Sequence, residues 1–461
     1  MKQKSGIMNE KRMGRDLTQG NIFRLLLSFA LPYMAANFLT SLYTLVDLSI
    51  IGLFTDSVGV SAVSNAGNIV MLHSAISLAL GGGGGILIAQ LIGAGRTDEL
   101  GETIGTLISL CVSVSLALLV SGMFLAEPLI RLLNTPEEAV AQAAEYLRIV
   151  CLGLPFYFCW NAFSEILRGM GDSLTPLLIL LVSSLLNTVL DLLFVAAFRW
   201  GASGAAAATS LSMVLAATFA WVYLYRRRGR FRFDFRLRSF AMKWDKLRLI
   251  ARLSGPLVAM QVAINCSMIY VNTFINSYGV IASAVAGIGT KLYSVSNIVC
   301  TSVQNAASAM VGQNMGAEKP ERAGRTVWAG WAINFGFFLF LGTAVLTIPE
   351  MIFGIFSNDA EVIAMSRDYM RIAFWMYLAF ALMAPPIGLI TGVGATGLNF
   401  VIALLDGVLA RVGLSLLFGI TLGMGLEGFW RGNALACYIS VILPSLYFFS
   451  GKWKTRRLLK R

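Results

Sequence analysis

From Phe23 to Phe449 the chain is a succession of long apolar segments separated by short polar breaks. Phe23–Gly52 carries only Arg24 and Asp47 as charged residues, and Ser57–Gly95 carries none besides the neutral His73. A membrane-spanning helix needs about 20 mostly apolar residues. Windows of that kind recur near 104–126, 147–167, 176–198 and 201–225, and again near 253–279, 281–315, 327–348, 372–392, 397–419 and 428–449. The pattern predicts an all-α integral membrane protein of twelve transmembrane helices. Residues 1–225 form an amino-terminal six-helix lobe, 226–252 a basic cytoplasmic loop, and 253–461 a carboxy-terminal six-helix lobe with a basic tail.

The two halves repeat each other. An offset of 223 or 224 residues lays Glu145–Ile149 (EYLRI) on Asp368–Ile372 (DYMRI), Gln90–Ala94 on Gln313–Ala317, Pro32 on Pro256, and Gly201/Gly204 on Gly425/Gly428. An even number of spans separates the copies, so both enter the membrane in the same direction. Parallel six-helix repeats of this kind are a plan of secondary transporters that rock two halves around a central site.

One apolar run contains five consecutive glycines, Gly81–Gly85. A phosphate-binding loop needs Gly-Lys-Ser/Thr after its glycines; here Ile86, Leu87 and Ile88 follow. The repeat places Gln304–Ser308 at the same depth, so both copies keep the helix slim, which lets membrane helices approach closely. Two readings stand: a compliant point in a long helix, or close packing alone.

Composition agrees with the pattern. The 461 residues are 57% hydrophobic and 13% charged, against about 25% charged in soluble domains, and mean hydropathy is +0.73. The net charge of +12 concentrates at the start (Lys2, Lys4, Lys11, Arg12, Arg15), in Arg226–Arg252 with eleven Lys/Arg, and in the tail. Between membrane spans such runs mark cytoplasmic loops, with attraction to anionic headgroups, rather than nucleic acid. Both termini are therefore expected in the cytoplasm. The basic start leads straight into the first apolar segment, so that helix is expected to be retained. The six cysteines form no CxxC pair, which favours neither a disulfide framework nor a zinc site.

Acidic residues in mid-helix cost about 2.5 to 3.5 kcal/mol on insertion scales, so Asp47 and Asp191 need a reason. Asn37, Thr40, Thr44 and Asp47 share one face of the first helix; Ser184, Asn187 and Asp191 share one of the fifth, and Thr209 lies on the sixth. If these stripes converge, two carboxylates in one poorly solvated pocket hold a proton or a small cation; a hydrogen bond from each Asp to a neighbouring helix is the simpler alternative. The seventh helix carries Gln261, Asn265, Asn272 and Asn276 without an acid, while Lys291, Asp406 and Arg411 read as a buried, self-neutralising network. Phe156, Tyr157, Trp160, Phe163 and Met268 read as core, and His73 as a helix-to-helix hydrogen bond.

These segments resemble the multidrug and toxic compound extrusion (MATE) transporters over residues 17–450. The carriers are Ser28–Pro32, Leu42–Gly52, Ala89–Gly95, Leu167–Ser173, Gly201–Thr209 and Gly312–Ala317. The resemblance implies a plasma-membrane antiporter that exports organic cations or amphipathic compounds against protons or sodium by alternating access, with no cofactor and no enzymatic activity. In the DinF-like branch, which the chain resembles, the coupling site falls on Asp47, Asn187, Asp191 and Thr209, and sodium, if it is the ion, on Asp47 and Asp191. Pro32 matches a first-helix proline at which that branch bends. Pro32, Tyr43, Met260, Gln261 and Asn265 are the candidates for the substrate cavity or helix bending. The NorM-like carboxylate of the seventh helix is missing, since Ile264 and Asn265 stand there. The expected partners are small molecules and the bilayer, the expected state a monomer.

Two rivals are weighed on the same residues. Gly169-Met170-Gly171-Asp172 spells the GxGD of intramembrane aspartyl proteases, but the chain has no Tyr-Asp pair to supply the second aspartate. A lipid-linked oligosaccharide flippase shares the architecture, yet its cavity tends to be cationic, whereas the amino-terminal stripe here is acidic.

Overall fold

A computed structural model describes residues 14–133 and 135–459, with the side chains of Arg230, Asn265, Cys266, Ile269, Asn272, Thr273 and Asn276 outside the description. Twelve long helices run through the described residues: α1 (Ile22–Phe54), α2 (Ser57–Gly93), α3 (Leu100–Leu132), α4 (Glu137–Gly169), α5 (Leu174–Ala197), α6 (Gly201–Arg226), α7 (Trp244–Asn276), α8 (Val280–Gly316), α9 (Pro320–Thr347), α10 (Ala360–Gly392), α11 (Thr396–Thr421) and α12 (Gly425–Phe449). Eleven are apolar and long enough to cross a membrane. The other, α8, carries Lys291, Asn297, Gln304, Asn305, Gln313 and Asn314 along its length.

Local chemistry sets the helix ends. Asp56 caps α2 by accepting from the Gly59 amide at 2.8 Å, and Asp359 caps α10 by accepting from Glu361 at 2.9 Å. The Gly-Met-Gly-Asp stretch is explained in full by packing and turning. Gly171 takes φ +89°, a left-handed turn that favours glycine. Asp172 then accepts from the amides of Leu174 and Thr175 at the start of α5, and Gly169 faces the Gly85 carbonyl.

The chain forms two compact units: Met1–Asp16 with Ala35–Val258, and Leu17–Met34 with Ala259–Arg461. Each unit therefore takes one half of a helix. The first half of α1 packs in the second unit, where Leu26, Phe29, Ala30 and Tyr33 join Val303, Ala306, Ala307 and Met310 in an apolar cluster. Polar contacts fasten its entry: Asn314 Nδ2 donates to the Leu17 carbonyl at 3.1 Å and Arg322 to the Gln19 carbonyl at 2.8 Å. The first half of α7 belongs to the first unit, where Ser254 Oγ donates to the Leu80 carbonyl at 3.2 Å. Pro32 and Pro256 lie just before the two handovers, and a proline inside a helix lacks the N–H of the i−4 bond.

In the first unit α4 is the central helix, packed by α2, α3 and α6; in the second α10 has that place, packed by α8, α9 and α12. The glycine run serves close packing on three sides. A Cβ on Gly83 would come 2.1 Å from Ser254 Oγ, one on Gly84 2.3 Å from Leu107, and one on Gly81 3.2 Å from Glu165. The repeat keeps one crossing almost unchanged: a Cβ on Gly169 would lie 2.6 Å from the Gly85 carbonyl, and one on Gly392 2.5 Å from that of Ser308.

The basic loop is folded onto α3. Ser109 Oγ donates to the Phe240 carbonyl at 2.5 Å and the Lys243 amide to Thr106 Oγ1 at 3.1 Å, while Arg232 pairs with Asp98 and Lys246 with Glu99. Phe233 meets Phe235 and Phe240 edge to face, Phe235 meets Trp221 edge to face, and Phe240 stacks on Trp221.

Candidate functional site

In the first unit α1 presents Asp47 and α5 presents Asp191, and the two carboxyl groups face each other at hydrogen-bonding range. Asn187, one turn before Asp191 on α5, is as buried as Asp191, each 1% exposed. Asp47 Oδ1, both Asp191 oxygens and both polar atoms of the Asn187 amide are buried without a hydrogen-bond partner among the described residues. An unpaired buried polar atom costs about 1–3 kcal/mol, and here five meet in one unit. Apart from the facing carboxyl, no group of a neighbouring helix pairs with these oxygens among the described residues.

Tyr43 lies within electrostatic reach of Asp47, Tyr157 and Asp191. Tyr146 lies within reach of Asp47, Tyr43 and Asp191, a neighbour that polar-stripe reasoning on α1, α5 and α6 passed over. Its signal was the repeated EYLRI segment, which places an aromatic hydroxyl in the first third of α4, between Glu145 and Arg148. Thr209 is buried on α6, beside α5. A set of this kind can take up a proton between the two carboxyls, or a small cation among their oxygens and the Asn187 carbonyl oxygen. Among the described residues no group of three or more His, Cys, Asp or Glu is placed to hold a metal ion.

The other candidates fall in the second unit: Pro32 on the first half of α1, and Met260 and Gln261, both half-buried, on the second half of α7. The side chain of Asn265 lies outside the described residues. His73 is buried with its Nδ1 unpartnered among the described residues, so the expected helix-to-helix hydrogen bond at that atom is absent.

The charged residues of the second unit behave differently. Arg411 Nη2 meets Asp406 Oδ1 at 3.3 Å, Arg411 Nη1 donates to Asn433 Oδ1 at 2.9 Å, and Ser440 Oγ donates to Asp406 Oδ2 at 2.5 Å. The expected network of three is corrected to a pair. Lys291 stands exposed on α8 and makes no ion pair among the described residues, because its position on the helix turns it away from the buried face that carries Val285, Gly289, Ser296 and Cys300.

Both acids sit where the helix widens. Asp191 directly precedes a turn of i→i+5 hydrogen bonding at Leu192–Ala197, and Asp406 lies inside another at Leu404–Ala410. Such wide turns are frequent at functional sites.

The MatE family model matches residues 32–193 and 256–422, one match in each half of the chain. The chain is 27% identical to the "Probable multidrug resistance protein YpnP" of Bacillus subtilis over 445 residues, covering 96% of this chain and 98% of that one. It is 25% identical to the "Probable multidrug resistance protein NorM" of Thermotoga maritima over 438 residues, 95% of this chain and 94% of the relative. Its fold superposes, with a TM-score of 0.87 and 21% identity, on the outward-facing conformation of a multidrug resistance MATE family transporter of the MOP superfamily, over 96% of this chain and 98% of that one. With the family match spanning both halves of a twelve-helix membrane chain, the protein belongs to the MatE family, the multidrug and toxic compound extrusion transporters.

Proposed function

We propose that the chain is an antiporter that exports amphipathic or cationic organic compounds in exchange for protons or sodium, with Asp47 and Asp191 as the ion-binding pair, Asn187 as a further ligand and Thr209 as a neighbour of the pair. The observation that carries this reading is the facing of two buried carboxyls, three of whose four oxygens have no hydrogen-bond partner among the described residues. Two unit charges about 4 Å apart repel by about 4 kcal/mol at an effective dielectric of about 20. A proton or a cation between them turns that repulsion into attraction, so the distance between α1 and α5 depends on whether an ion is bound.

The consequence follows from where α1 is held. Its first half is fastened to α8 and α9, its second half carries Asp47, and Pro32 lies before the handover. Ion binding draws the second half of α1 toward α5, bends the helix near Pro32 and narrows the drug cavity; release toward the cytoplasm resets it. Tyr43 in the first unit and Met260, Gln261 and Asn265 in the second are the candidate substrate contacts. The chain acts as a monomer in the plasma membrane with both termini in the cytoplasm.

The test is export by purified protein in liposomes, with proton and sodium gradients imposed separately and a panel of cationic dyes. Asp47→Asn should abolish gradient-driven dye movement while the protein remains folded. Undiminished, gradient-dependent export by Asp47→Asn would remove the pair from coupling, and movement of lipid-linked sugar without dye would replace the drug-export reading altogether.

A further inference from the structure

The repeat gives each residue of the carboxylate site a counterpart in the second unit. An offset of 224 lays Leu190-Asp191-Leu192-Leu193-Phe194 on Leu414-Ser415-Leu416-Leu417-Phe418. Packing supports this register independently of sequence. A Cβ on Gly204 would meet the Phe194 carbonyl at 3.1 Å, and one on Gly428, its counterpart, would meet that of Phe418 at 2.5 Å. Asn187 therefore corresponds to Arg411, Asp191 to Ser415, Thr209 to Asn433, and Asp47 to Val271.

The two acids of the first unit are thus replaced by neutral residues. Val271 is 4% exposed in an apolar cluster, and Ser415 Oγ is engaged with the Phe429 carbonyl. In place of the Asn187 amide stands a guanidinium. Its Nη1 donates to Asn433 at 2.9 Å and reaches Met268 Sδ at 3.5 Å, its Nη2 meets Asp406 at 3.3 Å and Cys437 Sγ at 3.8 Å, and its Nε has no partner among the described residues. The single negative charge that balances it comes from Asp406, which Ser440 holds from the other side.

We propose that the Arg411 guanidinium is a tethered cation: it fills, in the carboxy-terminal unit, the position that the amino-terminal unit leaves to a mobile one. This rests on the antiport reading only for the word "mobile". Its consequence is one exchangeable cation site per chain, and a second site, for a monovalent cation of the guanidinium class, that opens only when Arg411 is cut back. The guanidinium's planar fork also explains the ligands: a carboxylate and an amide oxygen are the acceptors such a fork pairs with.

The test is thermal unfolding of the purified full chain in detergent, titrated with millimolar methylguanidinium against equal ionic strength of tetramethylammonium. Arg411→Gly should melt several degrees below the wild type and recover with methylguanidinium, while the wild type does not respond. Asp406→Asn/Arg411→Met, a neutral pair, should fold and show no response. A folded Arg411→Gly that ignores methylguanidinium, or a wild type that responds equally, overturns the proposal. Should Arg411→Gly not survive purification, it is purified with methylguanidinium present and then dialysed. Loss of structure on dialysis supports the proposal and unchanged stability overturns it. The same titration on Arg411→Gly/Asp191→Asn separates the two readings, because the recovery belongs to the second unit alone, whereas failure of the antiport reading shows as gradient-driven export that survives Asp191→Asn.

Discussion

The amino-terminal unit faces two acids toward each other and gives neither an internal cation, whereas the carboxy-terminal unit, built on the same repeat, gives its buried acid a guanidinium, a serine hydroxyl and an amide beside it. The first arrangement is costly without a visitor; the second is complete in itself. On the proposed antiport reading, one fold then carries one site whose energy depends on an ion and one whose energy does not. The difference teaches that one repeated scaffold holds two different polar arrangements, Asn187 and Asp191 in one copy against Arg411 and Ser415 in the other.

The comparison predicts opposite effects of removing an acid. Asp406→Ala leaves Arg411 buried without its counter-charge, which costs about 3–5 kcal/mol, read as a lowered denaturation midpoint in detergent. Replacing both, Asp406→Leu with Arg411→Met, should restore most of that stability, since apolar isosteres of a buried pair are often neutral or better. A single Asp406→Ala as stable as the wild type would show that the pair is not buried as described.

The crossings that the two units share should respond alike. Gly169→Ala and Gly392→Ala each push a methyl against a backbone carbonyl, at 2.6 Å from Gly85 and 2.5 Å from Ser308. Overpacking of this kind costs about 1–3 kcal/mol. Chemical denaturation of the two variants should give losses that match; a loss confined to one of them would break the equivalence of the crossings.

Asp191→Asn should behave in the opposite way to Asp406→Ala. It replaces a buried carboxyl that faces Asp47 with a neutral amide, so stability at neutral pH holds or rises, by about 1 kcal/mol, while the response of the protein to protons or sodium is lost. A fall as large as that of Asp406→Ala would mean that Asp191 is satisfied within the protein and belongs with the structural pair.

Much of this was legible in the sequence because membrane burial makes composition speak plainly. Apolar length revealed the helices, α8 among them despite the polar residues along it, and an acid in an oily run singled out Asp47 and Asp191. Other features depend on which surface a residue meets and left no local trace. The handovers at Met34/Ala35 and Val258/Ala259 are of this kind, because the residues on both sides of each boundary are apolar. Lys291 was placed with Asp406 and Arg411 on charge alone, and its facing on α8 decided otherwise. The wide turns at Leu192–Ala197 and Leu404–Ala410 arise from one extra residue per turn, which no hydrophobic period reports.

The smallest expected effect concerns how α7 enters the first unit. Ser254 on α7 fits against Gly83, and its hydroxyl donates to the Leu80 carbonyl at 3.2 Å. At the offset of 224 its counterpart is Ala30 on α1, and those of Gly83 are Ala306 and Ala307 by the two offsets, which pack with Ala30 in one apolar cluster without a hydroxyl. At this crossing the second unit therefore relies on apolar contacts, its polar fastening lying at the entry of α1, whereas the first adds a hydrogen bond to glycine packing. Ser254→Ala deletes that bond and leaves a residue of the kind the other unit already uses, so the loss should be about 1 kcal/mol, seen as a small fall in the denaturation midpoint with export retained. A larger loss, or a loss of export with the fold intact, would show that the α7 crossing is held by its hydrogen bond rather than by the glycine-lined approach, and that the two borrowed half-helices are not secured in the same way.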